Sequence, residues 1–208
     1  MGSWIRARFD GIGLTQSPPG PHLKALQARF GGTVLLCIDV SGSMSGEPLR
    51  QAVAGGQRFL AEAHGAHYRC GLVLWSDTVN VFLDPDTPPE QVTARLAAAR
   101  ICGGTDIVAT LRLGLRVLGP TAGDRVLCVF GDGDLGDRKT AIALARELCA
   151  MGIRIIVRGL GPGATEALSA LTCPGERDDR QLIENVDGIA AGIASMAAGL
   201  TAGRHSRG

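Results

Sequence analysis

Three oxygen-bearing side chains stand at alternate positions directly after an apolar segment. Residues 34–38 read Val-Leu-Leu-Cys-Ile, which is typical of a buried strand, and Asp39, Ser41 and Ser43 follow them. Residues two apart in an extended chain point to the same side, so these side chains are expected to converge just past the strand end. One carboxylate and two hydroxyls are hard oxygen ligands, which suit Mg²⁺ and suit zinc or copper poorly.

Three ligands do not complete the octahedral shell of Mg²⁺, so further oxygen donors are expected elsewhere in the chain. Thr105 lies on a glycine-rich turn, Gly-Gly-Thr-Asp, directly before a helical pattern. Asp132 follows a second apolar segment at residues 126–130. Asp132 thus directly follows a predicted strand, and Thr105 directly precedes a predicted helix. Open α/β sheets bind ligands in the loops at such positions. We therefore predict that both side chains join the first three.

The combined pattern resembles the metal ion-dependent adhesion site (MIDAS) of von Willebrand factor type A domains. In that family Asp-x-Ser-x-Ser is joined by a distant Thr and a distant Asp. The matching residues, in the family's order, are Asp39, Ser41, Ser43, Thr105 and Asp132. The residues around the first motif resemble those of the bacterial, intracellular-type members of this family. A lone Asp-x-Ser-x-Ser is a weak signal, but three matching pieces in separate segments are specific.

This resemblance implies a protein-interaction module that is not an enzyme. The five side chains would bind Mg²⁺, with Mn²⁺ or Ca²⁺ as other candidates, and would leave a coordination position open. An Asp or Glu of a protein partner would complete the shell. The expected cofactor is therefore a divalent cation, and the expected partner is a protein that presents a carboxylate.

Strands and helices that could position these residues alternate along the chain. Hydrophobic periodicity predicts strands near residues 34–38, 68–75, 79–83, 126–130, 153–157 and 181–184, and helices near residues 46–64, 88–100, 107–118, 138–151, 164–171 and 187–200. The three residues between the second and third strands suit a hairpin, so this pair is expected to be antiparallel. The alternation predicts an α/β fold with a doubly wound, mostly parallel six-stranded sheet, one antiparallel edge strand and helices on both faces. The resemblance implies the same Rossmann-like architecture.

Hydroxyl and acidic residues mark several of the predicted helix starts. Ser45 and Asp187 are the expected N-caps of the first and last helices. Asp106, Asp134 and Asp137 add carboxylates near the predicted metal site. Helix starts favour acidic residues, so capping or a solvated surface is the expected role of these three.

The chain is predicted to form one domain with two short flanks. Residues 1–32 contain Ser-Pro-Pro-Gly-Pro, which cannot lie within a helix or a central strand, and they are predicted to form an irregular lead-in. Residues 33–200 form the predicted domain, and 45% hydrophobic content in 208 residues suffices for a buried core. Residues 201–208 are polar and are predicted to form a disordered tail.

Charge and cysteine content narrow the expected partners and compartment. The net charge of +1 gives no reason to expect nucleic acid or an anionic membrane as a partner. No two of the six cysteines form a Cys-x-x-Cys pair, so a zinc site is not expected. A chain of this length needs no disulfide, and its amino terminus lacks the apolar region of a signal peptide. These features predict reduced cysteines and a cytoplasmic location.

One class of enzyme shares part of the pattern. Haloacid dehalogenase phosphatases use a strand-end Asp as nucleophile and a later Gly-Asp-Gly segment to hold Mg²⁺, and Asp39 followed by such a segment resembles them. Most members carry a second Asp two residues after the nucleophile, where this chain has Ser41. These enzymes need a basic residue to hold the phosphoryl group, but no lysine lies between Lys24 and Lys139. Thr105 also has no role in such an enzyme. The phosphatase is therefore the alternative function, and the interaction module is favoured.

Overall fold

The computed structural model describes residues 31–175 and 180–205. Six strands form one sheet: β1 (Gly32–Asp39), β2 (Arg69–Trp75), β3 (Val79–Leu83), β4 (Asp124–Gly131), β5 (Arg154–Leu160) and β6 (Arg180–Ile183). The helices of the described part are α1 (Glu47–Gly65), α2 (Pro89–Ala97), α3 (Val108–Leu118), α4 (Arg138–Ala150), α5 (Pro162–Ser169) and α6 (Ile189–His205), with short 3₁₀ helices at Gly42–Met44 and Val186–Gly188. The predicted lead-in at residues 1–32 lies outside the described residues except for its last two.

The order of strands in the sheet is β3-β2-β1-β4-β5-β6. Strand β1 pairs in parallel with both β2 and β4, and β3 alone runs antiparallel, against β2 at the sheet edge. The predicted fold class is therefore confirmed. The chain moves outward from β1 in one direction and then crosses back to β4, so the switch point of the sheet lies between these two strands. Ligands of open α/β sheets bind in the crevice beyond such a point.

Strand β1 is buried on both faces because helices cover both sides of the sheet. All eight of its residues are buried. Val34, Leu36 and Ile38 pack into one hydrophobic cluster with α1, α2 and α6, whereas Leu35 and Cys37 pack into a second with α3, α4 and α5. A central parallel strand therefore reads as a continuous apolar run. Two separate cores hold the strand whose end carries Asp39.

A Gly-Gly pair in α1 allows two close contacts with other helices. A Cβ atom at Gly55 would lie 2.6 Å from the carbonyl oxygen of Ala190 in α6. A Cβ atom at Gly56 would lie 2.8 Å from the side chain of Leu96 in α2. Each glycine costs a helix about 1 kcal/mol relative to alanine. The close packing of α1 against its neighbours offsets that cost.

Both predicted N-caps are wrong. Helix α1 follows Gly46, whose φ of 82° is left-handed, and no side chain caps the helix. Asp187 lies inside the 3₁₀ helix that precedes the last helix, and the side chain of Asn185 caps that 3₁₀ helix by accepting a hydrogen bond from the Gly188 amide. The chain leaves the Asp39 loop through a conformation that glycine tolerates best, so Ser45 cannot take the cap position.

Helix α6 continues beyond its predicted end at Leu200 and reaches His205. The predicted tail at residues 201–208 is thus helical over its first five residues, and residues 206–208 lie outside the described part. Within the described residues, none of the helices combines the length and apolar character needed to cross a bilayer.

Cys149 and Cys173 form a disulfide, so the prediction of six reduced cysteines is wrong at this pair. Cys149 lies at the end of α4 and Cys173 follows α5, and β5 brings these two segments together with a Cα–Cα distance of 5.5 Å. The contact joins residues 24 apart in sequence, which explains why local patterns did not reveal it. The remaining cysteines form no disulfide: Cys37, Cys70 and Cys128 are buried, and Cys102 is partly exposed.

Candidate metal centre

Loops beyond the carboxyl ends of β1, β2 and β4 meet the segment that joins α2 to α3. Main-chain hydrogen bonds hold these loops together, with the amide of the first residue donating to the carbonyl of the second: Val40 to Trp75 (2.8 Å), Cys102 to Val40 (2.8 Å), Asp106 to Ser76 (2.8 Å) and Ile107 to Leu135 (3.4 Å). The loops that carry the five predicted ligands therefore form one connected assembly.

Asp39 ends β1 and is completely buried. Its Oδ1 accepts a hydrogen bond of 2.8 Å from the Ser41 amide. Its Oδ2 is buried and has no hydrogen-bond partner among the described residues. A buried acceptor without a partner costs about 1–3 kcal/mol and more when charged, so such an atom in a native fold calls for an explanation. A bound cation beside Oδ2 supplies one.

The pKa of Asp39 is raised from 3.8 to about 6. Burial is the main cause, hydrogen bonds from Ser41 oppose it, the negative charge of Asp132 adds to it, and the main-chain amide of Asp132 makes the smallest, opposing contribution. Gly131, the last residue of β4, lies so close that a Cβ atom there would be 3.1 Å from Asp39 Oδ2. Asp132 comes next in the chain. The structure thus brings two carboxylates together, and their repulsion favours a cation between them.

Ser41 and Ser43 meet through a turn. Ser41 is extended and buried, but Gly42–Met44 forms a 3₁₀ helix, so the expected alternation of an extended chain does not continue to Ser43. The Oγ atoms of the two serines lie 3.0 Å apart, within hydrogen-bond distance. The tight turn therefore brings together the two hydroxyls that an extended chain was expected to align.

Thr105 is half-buried on the segment between α2 and α3. Helix α3 begins at Val108, and Asp106 Oδ1 accepts the Val108 amide at 2.8 Å, so Thr105 does not cap this helix. No hydrogen bond engages the Thr105 hydroxyl within the described residues. The neighbouring Gly103 carbonyl faces Gly42, where a Cβ atom would lie 3.9 Å away. This segment therefore borders the serine turn, with the Thr105 hydroxyl available as a ligand.

The other carboxylates near the centre have the predicted local roles. Asp137 caps α4, where its side chain accepts hydrogen bonds from the Thr140 amide at 3.1 Å and from the Thr140 hydroxyl at 2.6 Å, and these bonds lower the pKa of Asp137. Asp134 is exposed, and its Oδ1 accepts the Gly136 amide at 2.9 Å. Asp106 accepts a hydrogen bond from the first residue of α3. These three carboxylates are therefore occupied by turns and helix starts.

Ser76 is a central residue of this assembly that sequence reasoning missed. It is completely buried, and its carbonyl accepts the Asp106 amide. Its Oγ lies 2.9 Å from Asp77 Oδ1 and 2.8 Å from Asn80 Oδ1. A single serine after a strand carries no sequence signal for such a role. Ser76 joins the β2–β3 connection to the segment that carries Thr105.

A family model supports the resemblance noted above. Residues 34–134, which run from β1 through the Asp132 loop, match the model of the von Willebrand factor type A domain. The chain contains a von Willebrand factor type A domain. No curated protein sequence matches the chain significantly.

Solved structures show the same fold at low sequence identity. The von Willebrand factor domain of the type V pili tip protein Mfa5 from Porphyromonas gingivalis superposes with a TM-score of 0.70 and 14% identity, over 84% of this chain and 96% of that chain. The pilus adhesin SpaC from Lactobacillus rhamnosus GG superposes with a TM-score of 0.67 and 14% identity, over 82% of this chain and 30% of SpaC. A third structure is that of proximal thread matrix protein 1 from the mussel byssus, in a form whose MIDAS motif holds zinc. It superposes with a TM-score of 0.66 and 13% identity, over 82% of this chain and 46% of that protein. The chain thus spans less than half of the two longer proteins.

The donor set of this von Willebrand factor type A domain fits a hard divalent cation. Within the described residues, no group of three or more His, Cys, Asp or Glu side chains is placed to hold a metal. The candidate centre instead combines two carboxylates with three hydroxyls. Such a set suits Mg²⁺, Mn²⁺ or Ca²⁺ better than a soft metal. The unpartnered Oδ2 of Asp39 is the atom that a cation would satisfy.

Proposed function

We propose that this domain is a metal-dependent protein-interaction module. A divalent cation, Mg²⁺ in the first instance, is held at the carboxyl edge of the sheet by Asp39, Ser41, Ser43, Thr105 and Asp132. The observation that carries the proposal is Asp39 Oδ2, a buried carboxylate oxygen without a partner beside a second carboxylate. The bound cation supplies a Lewis-acidic position for a ligand from outside the chain.

The charges of the ligands explain why a partner would bind. Asp39 and Asp132 balance the two positive charges of the cation, and the three hydroxyls are neutral. Ser43 is exposed and Thr105 is half-buried, so the centre is open to solvent on this side. Carboxylate oxygens are among the ligands that Mg²⁺ and Ca²⁺ prefer in proteins. An Asp or Glu of a protein partner is therefore the proposed last ligand.

Metal titration with variants tests this proposal. Calorimetry is expected to show Mg²⁺ binding to the wild-type chain and its loss in Asp39→Asn, because the unpartnered oxygen is replaced by an amide nitrogen. Asp134→Asn is the matched control: the residue lies near the centre but bonds only a turn, so metal affinity should stay within twofold. Absence of binding at millimolar Mg²⁺, Mn²⁺ and Ca²⁺, or equal loss in both variants, would refute the metal centre.

The phosphatase alternative is not favoured, because Ser41 replaces its usual acid and its hydroxyl lies against Ser43. Metal-dependent hydrolysis of an aryl phosphate, abolished by Asp39→Asn, would reverse this preference. The cytoplasmic location stays a prediction. Trapping the thiols of Cys149 and Cys173 in cells tests it, since disulfides are rare in a reducing cytoplasm.

A further inference from the structure

A cavity of about 360 Å³ opens beside the metal centre, at the edge of the sheet. Its lining comes from β2, β3, α2 and the segment after α2. Apolar side chains, among them Leu74 and Val81, share this lining with the polar side chains of Asn80, Arg95 and Arg100. The three polar residues are exposed, so solvent reaches them. The volume lies within the range of ligand-binding pockets.

The loops that carry the metal ligands form part of the cavity wall. Val40 lines it and lies between Asp39 and Ser41 in the chain. Cys102 also lines it, and its amide donates to the Val40 carbonyl at 2.8 Å. The segment then continues from Cys102 to Thr105. The cavity and the predicted metal ligands therefore share one assembly of loops.

The polar side chains of the cavity favour an anion. Arg95 and Arg100 supply two guanidinium groups, and neither forms a hydrogen bond or an ion pair within the described residues. No Asp or Glu is among the described residues that line the cavity. Asn80 Oδ1 lies 2.8 Å from Ser76 Oγ, which can donate to it, so the Asn80 amide group is left to donate. Guanidinium forks and amide donors match the geometry of a carboxylate.

We propose that this cavity is a second, anion-binding subsite of the interaction module. It receives an Asp or Glu side chain from the same partner segment whose other carboxylate completes the metal shell. The inference rests on the proposed function, because the cation brings the partner to this edge of the sheet. The module thus selects a protein segment with neighbouring acidic residues over one with a single carboxylate.

The helix dipole explains only part of this arrangement. Arg95 lies in the last turn of α2, where a cation is favoured by the partial negative charge of the helix end. Arg100 lies beyond the helix, which ends at Ala97, and Asn80 belongs to a different element. Convergence of all three on one cavity without a carboxylate is what points to an anionic ligand.

Cys102 provides a direct readout, because it is the one free cysteine of the described part that is not buried. The probe is octaglutamate, which presents a carboxylate at every residue, so the spacing of the two subsites need not be known. The rate of Cys102 alkylation by iodoacetamide is measured with and without the probe by peptide mass spectrometry, in Mg²⁺ and in chelator, on the full chain. Each variant is compared with its own rate without the probe.

In Mg²⁺, octaglutamate is expected to slow alkylation of wild-type Cys102, whereas a Gly-Ser octapeptide leaves the rate unchanged. The variant Arg95→Glu/Arg100→Glu should need about tenfold more probe for equal protection. The matched control Arg112→Glu/Arg116→Glu changes two exposed arginines of α3 by the same charge, and it should stay within twofold of wild type. Removal of Mg²⁺ is expected to weaken protection in the wild type.

Absence of protection in the wild type, or equal loss of protection in both double variants, would overturn the proposal. Protection that does not depend on Mg²⁺ would also overturn it, because the two subsites would then not share a partner. Direct Mg²⁺ titration of Arg95→Glu/Arg100→Glu separates this failure from failure of the metal centre: the variant should bind Mg²⁺ within twofold of wild type.

Discussion

Replacing Asp39 by Asn removes a buried negative charge from the metal centre and retains the shape of the side chain. The folded state raises the pKa of Asp39 from 3.8 to about 6, mainly through burial. Each pKa unit corresponds to about 1.4 kcal/mol, so ionised Asp39 lowers the free energy of unfolding of the metal-free protein by about 3 kcal/mol at neutral pH. The Asn variant does not carry this penalty.

The sign of the pH dependence follows from the direction of the shift. The folded state binds the proton of Asp39 more tightly than the unfolded state does. The metal-free wild type is therefore most stable, as far as this group is concerned, below pH 3.8, and it loses stability as the pH rises through about 6. With these two pKa values the penalty is about 1 kcal/mol at pH 4.5 and about 3 kcal/mol at pH 7.5.

Urea denaturation of the metal-free wild type and Asp39→Asn at the two pH values measures the effect. The stability of the variant relative to the wild type is expected to increase by about 2 kcal/mol between pH 4.5 and pH 7.5. The unpaired amide of Asn changes the absolute difference at both pH values, and the change between them is the quantity of interest. Asp134→Asn is the control, since Asp134 is exposed and bonds only a turn.

The same urea denaturation is then repeated in the presence of Mg²⁺. At a concentration one hundred times the dissociation constant, the cation stabilises the wild type by about 2.7 kcal/mol and leaves Asp39→Asn unchanged. A stability difference that is constant between the two pH values would refute the account of Asp39 as a buried, repelled carboxylate. Equal stabilisation of both proteins by Mg²⁺ would refute its role as a metal ligand.

Three further predictions concern the fold. Gly55→Ala should destabilise the chain by about 1–3 kcal/mol through overpacking of α1 against α6, whereas Gly65→Ala, with open space around its Cβ position, should be nearly neutral in urea denaturation. The Cys149–Cys173 disulfide closes a loop of 24 residues, so Ser at both positions should lower the free energy of unfolding by about 3 kcal/mol. Tyr68→Phe removes a hydroxyl whose single proton lies within hydrogen-bond reach of two acceptors, and its loss should cost about 1–2 kcal/mol of stability.

Each of these predictions has a clear contrary outcome. Equal effects of alanine at the two glycines would show that the α1–α6 contact is not tight. A thiol assay in denaturant without reductant should find four free thiols per chain, and six would show that the disulfide is not formed. A neutral effect of Tyr68→Phe would mean that the hydroxyl, which reaches Asp124 Oδ2 at 2.5 Å and the Leu200 carbonyl at 2.8 Å, contributes no net stability.

The architecture could be predicted because its determinants are local and repeated. Buried parallel strands such as β1 and β4 appear as continuous apolar runs, and the three-residue connection after β2 specifies the antiparallel edge. Helix boundaries were less accessible. The start of α1 depends on the left-handed backbone of Gly46, and the caps at Ser45 and Asp187 were inferred from residue type without that geometry.

The candidate centre was predicted as a set of residue types, whereas its geometry depends on contacts between loops. The sequence indicated Asp39 and its hydroxyl neighbours, but not the 3₁₀ turn that brings Ser43 to Ser41. The role of Ser76 and the Cys149–Cys173 disulfide both depend on segments distant in sequence. Such contacts leave no periodic pattern, so single-sequence reasoning does not reach them.

The division of the core by the sheet has a consequence for how perturbations combine. Gly55 and the disulfide lie on opposite faces, in separate hydrophobic clusters with no shared side-chain partner. Their effects on unfolding should therefore sum in a double-mutant cycle. The loops of the candidate metal centre contact both clusters, because Met44 belongs to one cluster and Ile107 to the other. A cation bound between these loops would couple two halves of the molecule that otherwise respond independently.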